Sequence, residues 1–360
     1  MAIALRYPEC YDGSGLFPRF SSGSKTTSQY AKAGVDIGAK NISNRLIGKV
    51  AATTYRPEVL SDVGFFSGMY DFKGYRNPVL VSSTDSVGTK VKIAVALGKY
   101  DTVGVDIVNH CINDIFTCGA SPIFFLDYIG IGKLVPERVE AIVRGLANAC
   151  REANCALIGG ETAEMSDLYH GNDFDLAGFI VGVVEKEEII SGKKIKAGDA
   201  ILGLASSGLH TNGYTLARKI FGETKTALKK RYPELDKPIG EVLLEPHRSY
   251  YGKLKSHLSL IKGLAHITGG GFPDNVPRIL PEGLAARFNS RLWEVPPVFK
   301  LMELLGNVSR DEMYHVFNMG IGMVVVSSPE NVGKIEREIP EIKVIGEVAK
   351  EKGGTRVTID

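Results

Sequence analysis

Several things the sequence lacks narrow its class. No stretch of the 360 residues approaches the roughly 18 apolar side chains that a membrane span needs; the longest apolar runs, such as Met323 to Val326, are strand-sized. The first residues, Met1 to Leu5, give way to Arg6, Pro8 and Glu9 and do not form the basic and apolar regions of a secretory leader. Cysteine is sparse and odd in number: Cys10, Cys111, Cys118, Cys150 and Cys155. None forms a C-x-x-C pair, so neither a disulfide framework nor a structural zinc site is expected. Net charge is only +2, from 43 basic and 41 acidic residues, with no clustered basic stripe. That opposes nucleic-acid binding. No Walker A pattern occurs either. A reducing, cytoplasmic address without membrane or nucleic-acid partners is the expectation.

What is present is an ordinary globular composition, 44% hydrophobic and 23% charged. At this length two domains are the default. Residues 1–28 are rich in Gly and Ser without periodicity and are expected to form a flexible N-terminal extension. From Val79 the pattern becomes regular. Strands are expected at 79–84, within 121–131, at 155–158 and at 174–184, with helices over 101–119 and from Pro136. A polar, charged stretch at 185–199 marks the boundary between a domain at 29–190 and another at 195–350. Residues 351–360 add a terminal strand or tail. In the second half, strands are expected at 200–205, 283–289, 316–327, 343–348 and 355–359, with a helix at 214–221. Mixed strands and helices without a strict βαβ rhythm predict an α+β fold.

Several segments carry chemistry. On the helix from about Gly104 to Gly119, steps of 100° gather Asp106, Asn109, His110, Asn113, Asp114 and Thr117 on one arc. That arc has only short side chains and none of the Lys, Glu, Arg or Gln that solvate an ordinary amphipathic face. Short acids and amides hold fixed geometry and suit metal-bound phosphate. Asp85-Ser86-Val87-Gly88-Thr89-Lys90 follows a buried strand: an acid for Mg²⁺, a glycine for close approach, a hydroxyl and a cation. An Asp-capped turn would give the same string. Gly159-Gly160-Glu161-Thr162 repeats the design, so Asp85, Asp114 and Glu161 are candidate Mg²⁺ ligands. Further on, Ser206-Ser207-Gly208-Leu209-His210-Thr211-Asn212-Gly213 resembles an anion pocket before a helix. His266-Ile267-Thr268-Gly269-Gly270-Gly271 sets three glycines beside a histidine. Asn318-Met319-Gly320 interrupts an apolar strand, as close backbone approach to a ligand would require.

Together with Tyr30 to Asp36, Gly119 to Tyr128, Thr162 to Met165, Phe272-Pro273 and Phe317 to Met323, these motifs resemble the aminoimidazole ribonucleotide synthetase family, in the family's order from about residue 28 to 350. The chain departs at Ser86, where that family usually carries glycine, and in its extension. The resemblance implies an N-terminal domain whose mixed sheet joins a second subunit in a dimeric barrel, and a C-terminal mixed sheet with flanking helices. It implies ATP and Mg²⁺ as cofactors, a homodimer, and ATP-driven ring closure of formylglycinamidine ribonucleotide to aminoimidazole ribonucleotide in purine synthesis. On the matching positions, Asp85, Gly88, Asn113, Asp114 and Asp127 would serve ATP. Thr89 and Lys90 would stabilise the transferred phosphoryl group, with His266 as an acid/base or oxyanion stabiliser near the formyl carbon. Ser207, His210 and Asn212 would hold the substrate's ribose phosphate, and Thr268, Gly269 and Asn318 would also bind the substrate. Alternatives are a non-catalytic nucleotide-binding subunit and a related ATP-dependent synthetase with another acceptor.

Overall fold

The computed structural model describes residues 37–61 and 66–360. The expected extension, Cys10 and the Tyr30–Asp36 motif lie outside the described residues.

The first half is built on four strands, β1 (Pro78–Ser86), β2 (Ser121–Ile131), β3 (Ala156–Glu164) and β4 (Phe174–Glu185), in the order β1-β4-β2-β3. Only β2 and β3 run parallel. Along β1 exposure alternates with period two, as a sheet covered on one face requires. Four helices accompany the sheet: α1 (Ile37–Ala52), α2 (Lys90–Leu97), α3 (Asp101–Phe116) and α4 (Pro136–Glu152). Val135 precedes Pro136 in extended conformation, and Pro136 opens α4 where a missing N–H costs nothing. Helix α3 packs against the sheet and against α4, almost backbone to backbone. A Cβ on Gly104 would stand 2.2 Å from the Ile142 carbonyl oxygen, and one on Gly145 would stand 2.0 Å from that of Asp101. On the opposite face, among the described residues, Leu80 is 63% and Phe179 44% exposed.

The second half holds a six-stranded mixed sheet: β5 (Ala200–Ala205), β6 (Ile261–His266), β7 (Leu284–Phe288), β8 (Ile321–Ser327), β9 (Lys343–Lys350) and β10 (Val357–Ile359), ordered β10-β7-β9-β5-β8-β6. β10 and β7 run parallel, and the other neighbours antiparallel. β8 is buried along its whole length, in keeping with its unbroken Met-Val-Val-Val run. Flanking helices include α5 (Tyr214–Phe221), α6 (Pro297–Gly306), α7 (Arg310–Val316) and α8 (Pro329–Glu338).

Two expectations change. The strand expected from Val316 begins only at Ile321. Val316 closes α7, and Met319 and Gly320 turn through φ values of 47° and 97°. Asn318-Met319-Gly320 is therefore a turn before the strand and does not interrupt it. Ser86, by contrast, needs no glycine. It ends β1 outside the left-handed region, and the positive φ of this loop falls on Gly88, at 64°.

Candidate active site

The polar arc of α3 does two jobs. Most of it grips the other half of the chain. Asp106 accepts the His247 N–H at 2.7 Å, Asn109 donates to the His247 carbonyl at 2.7 Å, and Asn113 donates to the Arg248 carbonyl at 2.8 Å while accepting the Tyr250 N–H at 2.9 Å. Asp106 and Asn113 are fully buried. Both ends of the Asn113 amide, expected at the nucleotide, are taken by backbone.

Lys90 is engaged across the two halves in the same way. Its ammonium is wholly buried and donates to Asp106 Oδ1 at 2.8 Å, to the His210 carbonyl at 3.1 Å and to the Glu245 carbonyl at 2.8 Å. Burial pushes Lys90 down and Asp106 up. Three acceptors around one nitrogen nevertheless require an ammonium, since a neutral amine has only two N–H groups. Lys90 pins the two halves together through these three contacts. Thr89, one residue earlier, meets Thr215 of the other half at 3.3 Å between hydroxyls.

The remaining part of the arc, His110 and Asp114, faces a hollow of 510 Å³ together with Asp85, Asn212, His266, Thr268 and Gly269. His110 and His266 line it, the buried His210 and His247 pack behind them, and His247 comes from a segment that no sequence pattern marks. A chain of contacts joins the two carboxylates. Asp85 Oδ2 lies 2.8 Å from His110 Nε2, and His110 Nδ1 2.7 Å from Thr211 Oγ1. Thr211 Oγ1 lies 3.4 Å from His247 Nδ1, and His247 Nε2 3.0 Å from His266 Nε2. His266 Nδ1 ends the chain, 2.8 Å from Asp114 Oδ1.

Proton counting constrains this chain. Five contacts need five protons, and three neutral imidazoles plus one hydroxyl supply four. With both carboxylates ionised, the filled chain holds one imidazolium. Burial, the largest influence, pulls His110 down, but the bond to Asp85 and the charges of Asp114 and Asp85 outweigh it, and its pKa is raised. Burial prevails at His266 despite Asp114, and it pulls His210 and His247 far down. Of the three imidazoles in the chain, His110 is the one whose neighbours, Asp85 and Asp114, favour the charged form over burial. Burial also pushes Asp85 and Asp114 up, yet the bonds and charges of His110 and His266 respectively prevail, and both carboxyls end lower than usual.

His266 lines the hollow, with one ring nitrogen against Asp114 and the other against His247. It orients the Asp114 carboxylate. A transition-metal site at His210, His247 and His266, whose ring nitrogens cluster, is opposed by geometry. The His210 and His247 rings stack at 3.9 Å and 21°, so their in-plane lone pairs run side by side and do not converge. Asp85 and Asp114 do fit a hard divalent cation such as Mg²⁺. Their carboxylates are 38% and 29% exposed, straddle His110 Nε2 at 2.8 and 3.6 Å, and keep lone pairs toward the hollow.

The third expected ligand, Glu161, is elsewhere. β1 and β3 are opposite edges of the sheet. Glu161 lines a separate hollow of 1140 Å³ with Asp127, Lys40 and Asn44, so the described residues do not bring it together with Asp85 and Asp114. Gly160 makes room for Asp127, since a Cβ there would stand 2.3 Å from its carboxylate. Burial pushes the Asp127 carboxyl up to about 7. The folded chain therefore keeps a proton that the unfolded chain loses above pH ~4, and Asp127's contribution to stability declines between pH ~4 and ~7. D127N should match wild type near pH 4.5 and exceed it at pH 8, with a ceiling on the order of 4 kcal/mol. Thermal unfolding at both pH values checks this, and a gap independent of pH would remove the assignment.

Of the expected substrate residues, Asn212, Thr268 and Gly269 line the hollow with Asp85 and Asp114. The others support it from behind. Asn318 accepts from Ser206 Oγ at 2.9 Å and donates to the Gly208 carbonyl at 2.8 Å. Ser207 Oγ donates to the Pro246 carbonyl at 2.5 Å, and its N–H donates to His210 Nε2 at 3.2 Å. Asn318 and His210 are buried, and all three shape the 206–210 loop. Sequence reasoning missed His247 and Arg278. His247 had no signal, because only the fold sets it beside His266. Arg278 had a faint one, lying just beyond the glycine-rich segment.

Two family models cover most of the chain: the AIR synthase related protein N-terminal domain matches residues 69–184, and the C-terminal domain matches 196–359. The phosphoribosylformylglycinamidine cyclo-ligase of Thermoanaerobacter sp. (strain X514) is 49% identical over 90% of this chain and 98% of its own length. That of Carboxydothermus hydrogenoformans is 51% identical over 92% and 98%. Among solved structures, HypE of E. coli superposes with a TM-score of 0.63 at 17% identity, covering 89% of this chain and 93% of its own. A hydrogenase maturation protein HypE in complex with ATP gives 0.61 at 16%, covering 91% and 93%. These structures share the fold. With half of its residues identical to those of the cyclo-ligases along nearly its whole length, the chain belongs to the AIR synthase related family and groups there with the phosphoribosylformylglycinamidine cyclo-ligases.

Proposed function

We propose that this chain is an ATP-dependent cyclo-ligase that closes formylglycinamidine ribonucleotide to aminoimidazole ribonucleotide, yielding ADP and phosphate, as its half-identical relatives' name describes. The observation that carries the reading is the pair of partly exposed carboxylates, Asp85 and Asp114, each hydrogen-bonded to a buried histidine at a hollow between the two halves.

An amide oxygen is a poor leaving group, and transfer of the γ-phosphoryl group onto it makes it a good one. The substrate's own amine then attacks the same carbon, and phosphate departs. Because nucleophile and electrophile belong to one molecule, positioning removes much of the entropic barrier. The protein's part is placement and electrostatics. Asp85 and Asp114 would hold Mg²⁺, which when bound neutralises charge on the transferred phosphoryl oxygens. His110 and His266 hold those carboxylates in place and ionised. Asn212, Thr268 and Gly269 form the wall against which the substrate lies. Thr89 and Gly88, next to Thr215 and Thr211 of the other half, close the nucleotide side.

The open sheet face bearing Leu80 and Phe179 supports pairing with a second copy in a barrel. A division near 185–199, with an ATP-binding and dimerisation half before it and a substrate-binding half after it, is part of the same reading. So is a cytoplasmic location; among the described residues no helix is long and apolar enough to cross a membrane.

A coupled assay for ADP release with formylglycinamidine ribonucleotide, ATP and Mg²⁺ tests the reading, with the product identified by mass. ADP and aminoimidazole ribonucleotide should form one for one. ATP binding without cyclised product would favour an idle nucleotide-binding subunit or another acceptor.

A further inference from the structure

His247 does not line the hollow, yet it is fixed from several sides. Its N–H donates to Asp106 Oδ1 at 2.7 Å, and its carbonyl accepts from Asn109 Nδ2 at 2.7 Å. Its ring is buried and stacks on that of His210 at 3.9 Å. From this anchored ring, Nε2 meets His266 Nε2 at 3.0 Å, with Asn113 Nδ2 beside it at 3.3 Å. His266 is thus gripped at both nitrogens, by His247 at one and by Asp114 at the other. An imidazole bound at one nitrogen can still turn about its bond to Cβ, a soft torsion. Bound at both, it has one orientation. The Asp114 carboxylate depends on that ring. Its contact with His266 Nδ1 is 2.8 Å, whereas Ser83 Oγ and His110 Nε2 stand 3.3 and 3.6 Å away.

We propose that His247 is a positioning residue for the reaction, locking the His266 ring and through it aiming the Asp114 carboxylate into the hollow. The inference rests on the function proposed above and adds to it a residue that touches neither substrate nor cation. It holds whichever of the two facing nitrogens carries the shared proton, since either direction fills the 3.0 Å contact. A carboxylate held still suits Mg²⁺, which demands near-ideal octahedral geometry. The clamp from α3 takes only main-chain atoms of His247, so the side chain can be replaced while the segment keeps its place.

Met and Gln are alike in length and differ in hydrogen bonding, so H247M and H247Q form the test pair. Gln can set its amide where the imidazole Nε2 stands. H247M should lower kcat on formylglycinamidine ribonucleotide about tenfold and raise the Mg²⁺ concentration for half-maximal rate about tenfold, the lower end for outer partners of a metal carboxylate. The KM for the ribotide should not move, because His247 does not touch it. H247Q should recover most of both losses. Proton NMR of the metal-free protein supplies a readout without turnover. The N–H that His266 shares with a carboxylate gives a far-downfield resonance, identified by its loss in H266N. It should persist in H247Q and broaden or vanish in H247M. A merely structural His247 would lower the unfolding midpoint in both variants and leave resonance and Mg²⁺ dependence alike in the two, which would overturn the proposal. Wild-type kinetics in H247M would overturn it as well. Should H247M fail to fold, H247F takes its place, keeping a ring against His210 without ring nitrogens. Should wild type fail to cyclise the ribotide while the resonance is lost in H247M and kept in H247Q, the proposed reaction falls and the positioning of Asp114 stands.

Discussion

Replacing Asp114 by asparagine should lower kcat by about 10³ while the protein stays folded, in line with removal of one preorganised electrostatic group. The substitution is nearly isosteric. The Asn amide oxygen can still accept from His266 Nδ1, which now lies 2.8 Å from the carboxylate. What disappears is the negative charge that would hold a divalent cation and that keeps the histidine chain supplied with its surplus proton. Asp114 is 29% exposed, so losing its charge leaves no buried ion behind, and the unfolding midpoint should move by no more than a few degrees. Steady-state kinetics with saturating ATP and Mg²⁺ measure the first effect, and thermal unfolding the second. A variant within tenfold of wild type would remove Asp114 from the chemistry.

Lys90→Met makes the opposite prediction, a large loss of stability that precedes any effect on chemistry. It strands Asp106 without a counter-charge at a fully buried position. Breaking a buried pair from one side costs about 3–5 kcal/mol, or roughly 10 °C in midpoint for a unit of this size. The double variant K90M/D106N removes both charges, and its amide oxygen still accepts the His247 N–H that Asp106 now holds at 2.7 Å. It should therefore recover at least half of the loss. If the double variant is as unstable as the single one, the cost comes from lost packing and not from an uncompensated charge.

These two residues show what could be learned from the sequence. Both stand in segments marked by their residue types, and the segments were legible: strand, glycine and acid at Asp85, and a short-chained polar arc on α3. Periodicity also placed most of the strands and the helices at 101–116, 136–152 and 214–221. Function along the arc was not legible. Asp106, Asn109 and Asn113 share the residue types of a ligand site, yet they bind backbone from a segment more than 130 residues away. Lys90 looked like a phosphate cation because nothing local supplies its partners, and two of its three acceptors are carbonyls at 210 and 245. Asp85 and Glu161 resembled each other as acids near glycines after buried strands, and only the strand order sets them in different hollows. His247 entered for the same reason, through pairing that no local rule encodes.

The hold of α3 on residues 247–250 has one more consequence. Asp106, Asn109 and Asn113 touch amides and carbonyls of that segment, and such a clamp is blind to side-chain identity. This part of the hold depends on the course of the main chain, while Arg248 and Tyr250 add side-chain contacts to Glu341 and to the Ala205 carbonyl. A family that varied its acceptors while keeping its nucleotide half would find here a seam along which one half could be rewritten without unfastening it from the other.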